Sequence, residues 1–91
     1  MRRVYWTRNA RSSLQQSKDY LENRRRGTAD KLEGDIYKAA RAISLIPLAG
    51  RMNDRMQAHV WSLPKWHKVI IYRVRGDDIE IIAFRDTRQD T

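Results

Sequence analysis

The chain has 91 residues, a length that suits one compact domain, residues 1–91, built around a single core. Lys and Arg number 19 against 11 Asp and Glu, and the formal charge of +8 points to an anionic partner: nucleic acid, an acidic protein segment or a membrane surface. Cysteine is absent, which excludes a disulfide framework, a thiolate nucleophile and a Cys-based zinc site. No apolar run approaches the roughly 18 residues of a membrane-spanning helix, and Met1-Arg2-Arg3 leads into Val-Tyr-Trp rather than a signal-peptide core, so a cytoplasmic location is expected.

Val4-Tyr5-Trp6 is a short β-prone run, and the stretch from Arg3 to Thr7 is predicted to be a first strand at a sheet edge. From Asn9 the period changes to that of a helix. Ala10, Leu14 and Tyr20 with Leu21, together with the small Ser13 and Ser17, fall on one side. Thr7 or Asn9 is placed to cap this helix, and Gly27 is expected to end it near Arg26 by taking the left-handed position. The cationic run Arg24-Arg25-Arg26 then sits at the negative end of the helix dipole. Thr28 is expected to cap a second helix whose apolar residues, Ala29, Leu32, Ile36, Ala39, Ala40, Ile43 and Ile46, step by three and four. Pro47 ends it, because the residue before a proline is pushed out of the α region. Residues 48 to 58 are polar and irregular and read as a loop. His59 to Leu63 alternates like a half-buried strand, with Pro64-Lys65 as a turn.

Val69-Ile70-Ile71-Tyr72-Arg73-Val74 is β-branched and aromatic and apolar on both faces, the signature of a central strand. Arg75-Gly76-Asp77-Asp78 suits a two-residue type II′ turn with Gly in the first central position. Ile79 to Phe84 supplies an antiparallel partner. An isolated hairpin is marginal in water, so the two helices must cover it. The expected fold is α+β, β-α-α-β-β-β, with a helical hairpin packed on a largely antiparallel sheet.

Catalytic motifs are scarce. His59 and His67 stand in no spacing that puts two ligands on one metal, and no carboxylate pair or phosphate-binding glycine motif is present, so no metal and no cofactor is expected. His67, a possible general base, reads more simply as a packed or solvated side chain. What remains is a basic group, Lys65, Lys68, Arg73, Arg75, Arg85 and Arg88, interleaved with Trp61, Trp66, Tyr72 and Phe84. Guanidinium groups grip phosphates or carboxylates bidentately and aromatic rings offer stacking faces.

Several stretches in order, VYWTRNARSSL, Ile46-Pro47 with Ala49-Gly50-Arg51, and SLPKWHKVIIYRVRGDDIEIIAFRDTRQD, resemble the RelE/ParE superfamily of bacterial type II toxins over nearly the full length. The run from Ile70 to Asp90 resembles its ParE, or plasmid-stabilisation, branch. The resemblance implies a toxin bound by a cognate antitoxin. RelE-like members cut messenger RNA in the ribosomal A site with arginines, lysines and a terminal Tyr or His; ParE-like members block DNA gyrase and stabilise its broken-DNA complex.

Aligned with the ribonuclease branch, Val69 stands where that branch carries a catalytic Arg, Arg85 stands where it often carries His, and no Tyr follows Arg88. An apolar side chain cannot stabilise charge on a phosphorane-like transition state, and an arginine with a pKa above about 12 is no general base at neutral pH. These departures favour a gyrase-binding poison rather than a catalyst. Its target-contacting surface is expected at Arg73, Arg85, Arg88, Lys65 and Trp66. The rival, a metal-independent ribonuclease, would use Lys68, Arg73 and Arg88.

Overall fold

The computed structural model describes residues 2–89; Asp90, the last residue of the run that carries the ParE resemblance, lies outside the described residues. Its elements are β1 (Arg3–Trp6), α1 (Arg8–Arg24), α2 (Thr28–Leu45), β2 (Arg51–Asn53), β3 (Ala58–Leu63), β4 (Lys68–Arg75) and β5 (Asp78–Asp86). Short 3-10 turns at Pro64–Trp66 and Thr87–Gln89 flank the long hairpin. The five strands lie in the order β1-β5-β4-β3-β2, with β1 parallel to β5 and every other pair antiparallel. The apolar strand β4 is therefore in the middle, β1 is an edge, and the two helices pack on one face.

Both helices start and stop for local reasons. The Thr7 hydroxyl accepts the Ala10 N–H at 3.2 Å and caps α1. The far end departs from expectation: α1 stops at Arg24, Arg25 is extended, and Gly27, at φ 89°, introduces α2 instead of closing α1. Thr28 does not cap α2 with its side chain. That task falls to Glu22, whose carboxylate accepts the Gly27 and Ala29 N–H groups at 2.9 and 3.1 Å. An anion at a helix N-terminus meets both unpaired donors and the positive end of the dipole. These hydrogen bonds hold the Glu22 carboxyl below its ordinary value.

The core on the helix side gathers Leu32, Ile36, Ala39 and Ile43 from α2 with Ile70, Tyr72, Ile79, Ile81 and Phe84 from the hairpin. A fully buried side chain of this size contributes about 1.5–3 kcal/mol before chain entropy is counted. From α1 only Ala10 is fully buried, with Leu14 and Leu21 partly so. Tyr20, placed on the inner stripe by its spacing, is 59% exposed and carries the Arg24 guanidinium over its ring at 5.4 Å. Ile46 is likewise exposed, because α2 ends one residue before it.

The stretch from Leu48 to Ala58 is not all loop. Arg51–Asn53 forms β2, a fifth strand paired with β3 at the sheet's other edge. Three residues with a single apolar member carry too little periodicity to announce a strand. Tyr72 fixes the way in: its hydroxyl accepts the Gly50 N–H at 2.9 Å and donates to the Pro47 carbonyl at 2.8 Å. His59 stacks on the Tyr72 ring, with centroids 5.2 Å apart, and its Nδ1 lies 3.0 Å from the Gly50 carbonyl. Because that partner is an acceptor, Nδ1 carries the proton.

The hairpin turns through Gly76 at φ 59°, with Asp77 outside the positive-φ region, as a type II′ turn requires. Along β4 and β5 the register shifts between Ile71 and Tyr72, which face Ala83 and Ile81 and leave Ile82 without a partner across. This bulge inverts the alternation of β5. Ile79 and Ile81 before it and Phe84 after it all reach the helix-side core, whereas Ile82 and Ala83 join Ala58, Val60, Val69 and Ile71 in a second, smaller cluster. No helix among the described residues is long and apolar enough to cross a membrane.

Candidate functional site

The bulge sets the chemistry at the open end of the hairpin. Phe84 faces the helices, and Asp86, two residues on, faces them too, directly across from Lys68. Lys68 Nζ lies 3.2 Å from Asp86 Oδ2, and both side chains are largely shielded, 16% and 12% exposed. Arg88 comes back onto the same carboxylate from the turn Thr87–Gln89. Its backbone N–H and Nε donate to Oδ1 at 2.8 and 3.2 Å, and Nη2 donates to Oδ2 at 3.1 Å. The turn is pinned from behind by the His67 carbonyl, which accepts the Thr87 N–H at 2.8 Å and its hydroxyl at 3.2 Å.

Asp86 thus orients two cations. The bidentate Arg88 guanidinium, its N–H and then Lys68 hold the carboxyl well below the usual carboxylate range, and the same pairing raises Arg88. Above this cluster lies a groove of about 680 Å³ between α1 and the ends of β4 and β5. α1 lines it with Ser13, Gln16 and Ser17 together with Tyr20 and Leu21, and Trp66 borders the other side. The low apolar content of α1 is what leaves this space. Serines at positions 13 and 17 do not reach the sheet as leucines would.

The expected site residues fall into separate places. Lys68, Arg88 and Trp66 share the groove, and Arg85 borders it from the opposite face, paired across the strands with Val69. Lys65 sits next door, 5.3 Å from the centroid of the Trp66 ring and 3.8 Å from Asp35, to which the Trp66 indole N–H also donates at 2.8 Å. Arg73 is elsewhere. It lies five residues along β4 from Lys68, about 16 Å at the rise of a strand, and on the opposite face. Its Nη2 and Nε donate to the Met56 and Gln57 carbonyls at 3.1 and 3.4 Å, which holds the turn between β2 and β3 where Gln57 adopts a positive φ of 53°. Arg75 pairs with Glu80 at 2.9 Å near the hairpin tip. The basic residues therefore do not form one cluster, and the trio Lys68, Arg73 and Arg88 is not assembled.

The aromatics also divide. Tyr72 and Phe84 are buried in the core and offer no stacking face; Trp61 packs partly into it, and Trp66 borders the groove. Val69 lies in the smaller apolar cluster, opposite Arg85 across the strands. His67 is exposed, in the left-handed region at φ 55°. Among the described residues, no three His, Cys, Asp or Glu side chains come close enough to hold a metal ion. Sequence reasoning missed Asp86 as the organiser. A lone carboxylate between Arg85 and Arg88 reads as a solvated charge until the bulge turns it inward.

The family model described as ParE toxin of type II toxin-antitoxin system, parDE, matches residues 4–91. The chain belongs to this family. Among solved structures, it is similar to one titled as the chromosomal ParDE TA system from P. aeruginosa, with a TM-score of 0.82 and 24% identity. The match covers 94% of this chain and 96% of that one, and at this identity it speaks for the fold. No curated protein matches the chain in sequence. Two helices on a five-stranded mixed sheet are thus the ParE-type arrangement expected from the sequence, with β2 added to it.

The two strongly held carboxylates give this ParE chain a defined acid response. Glu22 and Asp86 both titrate below their ordinary values of 4.5 and 3.8 in the folded chain. A group depressed on folding contributes stability above its unfolded pKa and loses it as pH falls toward the folded one. Thermal stability is therefore expected to decline as pH drops below about 4.5. Glu22→Gln with Asp86→Asn should be less stable at neutral pH yet flatter in acid. Melting curves across that range that slope equally for both proteins would remove these two groups as the cause.

Proposed function

We propose that this ParE toxin acts in the cytoplasm by binding DNA gyrase together with its DNA, as a poison and not a catalyst, and that a cognate antitoxin silences it. The observation that carries the reading is membership in the ParE family along residues 4–91, supported by the surroundings of Val69 and Arg85. Val69 packs against the small apolar cluster of Ala58, Val60 and Ile71, and its own side chain brings no charge to a phosphorane. Arg85, across from it, is a guanidinium and not the imidazole that a general base would require. Arg88, Arg85, Lys65 and Trp66 form the target-contacting surface. Arg73, held by two carbonyls, serves it indirectly by fixing the β2–β3 turn. The test is a supercoiling assay: purified toxin should inhibit gyrase and leave linearised plasmid once protein is digested away. Cleavage of translated messenger at the A site with gyrase unaffected would sink the proposal in favour of a ribonuclease.

The antitoxin has a surface to cover. Leu45, Ile46, Leu48 and Met52 are exposed where α2 runs into β2, with Arg41, Arg51 and Arg55 also exposed on these segments. An acidic, amphipathic segment would bury the apolar side chains and meet the charge. Charge complementarity speeds encounter, whereas buried anchors set the slow dissociation. The complex is expected to be nanomolar or tighter, and its association rate should fall with added salt more steeply than its dissociation rate. Stopped-flow binding to the product of an adjacent small gene measures both. No affinity, or an association rate indifferent to salt, would overturn the electrostatic account.

A further inference from the structure

On the face that carries Asp86 the groove holds two cations, Lys68 and Arg88, against that one carboxylate, while Arg85 borders it from a register position on the opposite face. Asp86 engages both without exhausting them: Arg88 donates through its backbone N–H, Nε and Nη2, which leaves Nη1 unused on that carboxylate. The Arg88 side chain is 66% exposed while Asp86 holds one edge of it, so a presented, preoriented guanidinium remains. Facing it across the groove are the hydroxyl-bearing Ser13 and Ser17, and at one end stands Trp66, whose ring is fixed by its N–H bond to Asp35.

From this arrangement we infer that the groove is a binding site for a single strand of DNA, one phosphate lying on Arg88 and Lys68 with a neighbouring base against Trp66. The inference rests on the gyrase reading for its choice of DNA and deepens it: at this groove the toxin meets the nucleic acid of the target complex, not the enzyme. A recessed ammonium beside a guanidinium fork suits a compact tetrahedral anion. The volume of about 680 Å³ is that of a cleft for a small ligand, room for a nucleotide unit and not for a duplex. A duplex also hides the base faces that an aromatic wall requires. A protein segment fits less well, because the exposed aliphatic residues that would anchor it, Leu45, Ile46, Leu48 and Met52, belong to the α2–β2 end of the chain and none of them lines this groove.

The experiment uses the whole chain and a short fluorescein-labelled oligothymidylate, read by anisotropy, with tryptophan fluorescence of the unlabelled oligonucleotide complex as a second signal. Binding should weaken with salt, with a slope of about −0.7 for each phosphate contact, and Arg88→Ala should lower affinity about tenfold and flatten the slope by one contact. Ser17→Asp, which places a carboxylate in the opposite wall, should abolish binding. Lys31→Ala, at an exposed position of α2, should bind as the parent does. Binding should quench tryptophan emission, and Trp66→Phe, which keeps an aromatic ring in the packing, should lose most of the quench although Trp6 and Trp61 remain.

No binding, equal affinity for a duplex of the same length, full quenching in Trp66→Phe, a strand of RNA bound in place of DNA, or equal competition by polyglutamate would each overturn the inference. Failure here is separable from failure of the gyrase reading. A toxin that poisons gyrase without holding the strand sinks only the groove, and one that holds the strand but leaves gyrase unaffected sinks only the target.

Discussion

Arg88→Ala is expected to relieve growth inhibition by this toxin while shifting its thermal midpoint at neutral pH only slightly. Arg88 is 66% exposed, and exposed arginines contribute little to folding. Its loss does not strand Asp86, since Lys68 remains 3.2 Å away to hold the carboxylate. The functional loss should be large because the guanidinium, oriented by three hydrogen bonds, is the most prominent cation of the groove. One stability difference should appear. With its principal partner gone, the Asp86 carboxyl rises toward its ordinary value, so the part of acid destabilisation that comes from Asp86 should shrink. Arg88→Lys keeps the charge but not the fork and should recover toxicity only in part. Toxicity equal to the parent in Arg88→Ala, with matched expression, would make the groove a solvated rim.

Tyr72→Phe is expected to cost about 1–3 kcal/mol, because it removes the acceptor of the Gly50 N–H and the donor to the Pro47 carbonyl at a fully buried position. For a domain of this size that corresponds to a fall in midpoint on the order of 10 °C. The same contact makes Gly50 indispensable: a Cβ built there would lie 2.5 Å from the Tyr72 hydroxyl and 2.9 Å from a ring carbon. Gly50→Ala should therefore destabilise as well, and the double variant should lose less than the two single losses together, since both break one latch. Denaturant titrations of the four proteins give the cycle. Strict additivity would mean that the two residues act apart. The loss should also reach the exposed edge, since Pro47 to Gly50 leads into β2 and the apolar residues beside it.

The elements were largely legible from the residues alone, and for reasons that are local. The three- and four-residue steps of α2, ended by Pro47, and the β-branched run of β4 have no other low-energy arrangement than an amphipathic helix and a buried strand. Apolar character on both faces placed β4 in the middle of the sheet. Gly76 fixed the turn type because only a residue without a Cβ takes its positive φ at no steric cost. The RelE/ParE resemblance, carried by short motifs in order, reached the family that the match over residues 4–91 established.

What composition and period could not decide is what long-range pairing decides. The capping of α2 by Glu22 rests on a turn that brings residues five and seven positions apart into contact. The three residues of β2 form a strand because Tyr72, 22 positions on, holds Gly50 against the sheet. Above all, the alternation of β5 depends on a bulge. Without it, strict period two would send Phe84 and Asp86 to the face away from Ile79 and Ile81. One unpaired residue, Ile82, turns both toward the helices, buries the ring and delivers the carboxylate to Lys68 and Arg88. The order of residues settles which side chains this toxin has available. Their division into a structural clamp at Arg73, a core ring at Tyr72 and a cationic groove at Arg88 was decided by register, because a one-residue shift in pairing exchanges the two faces of a sheet.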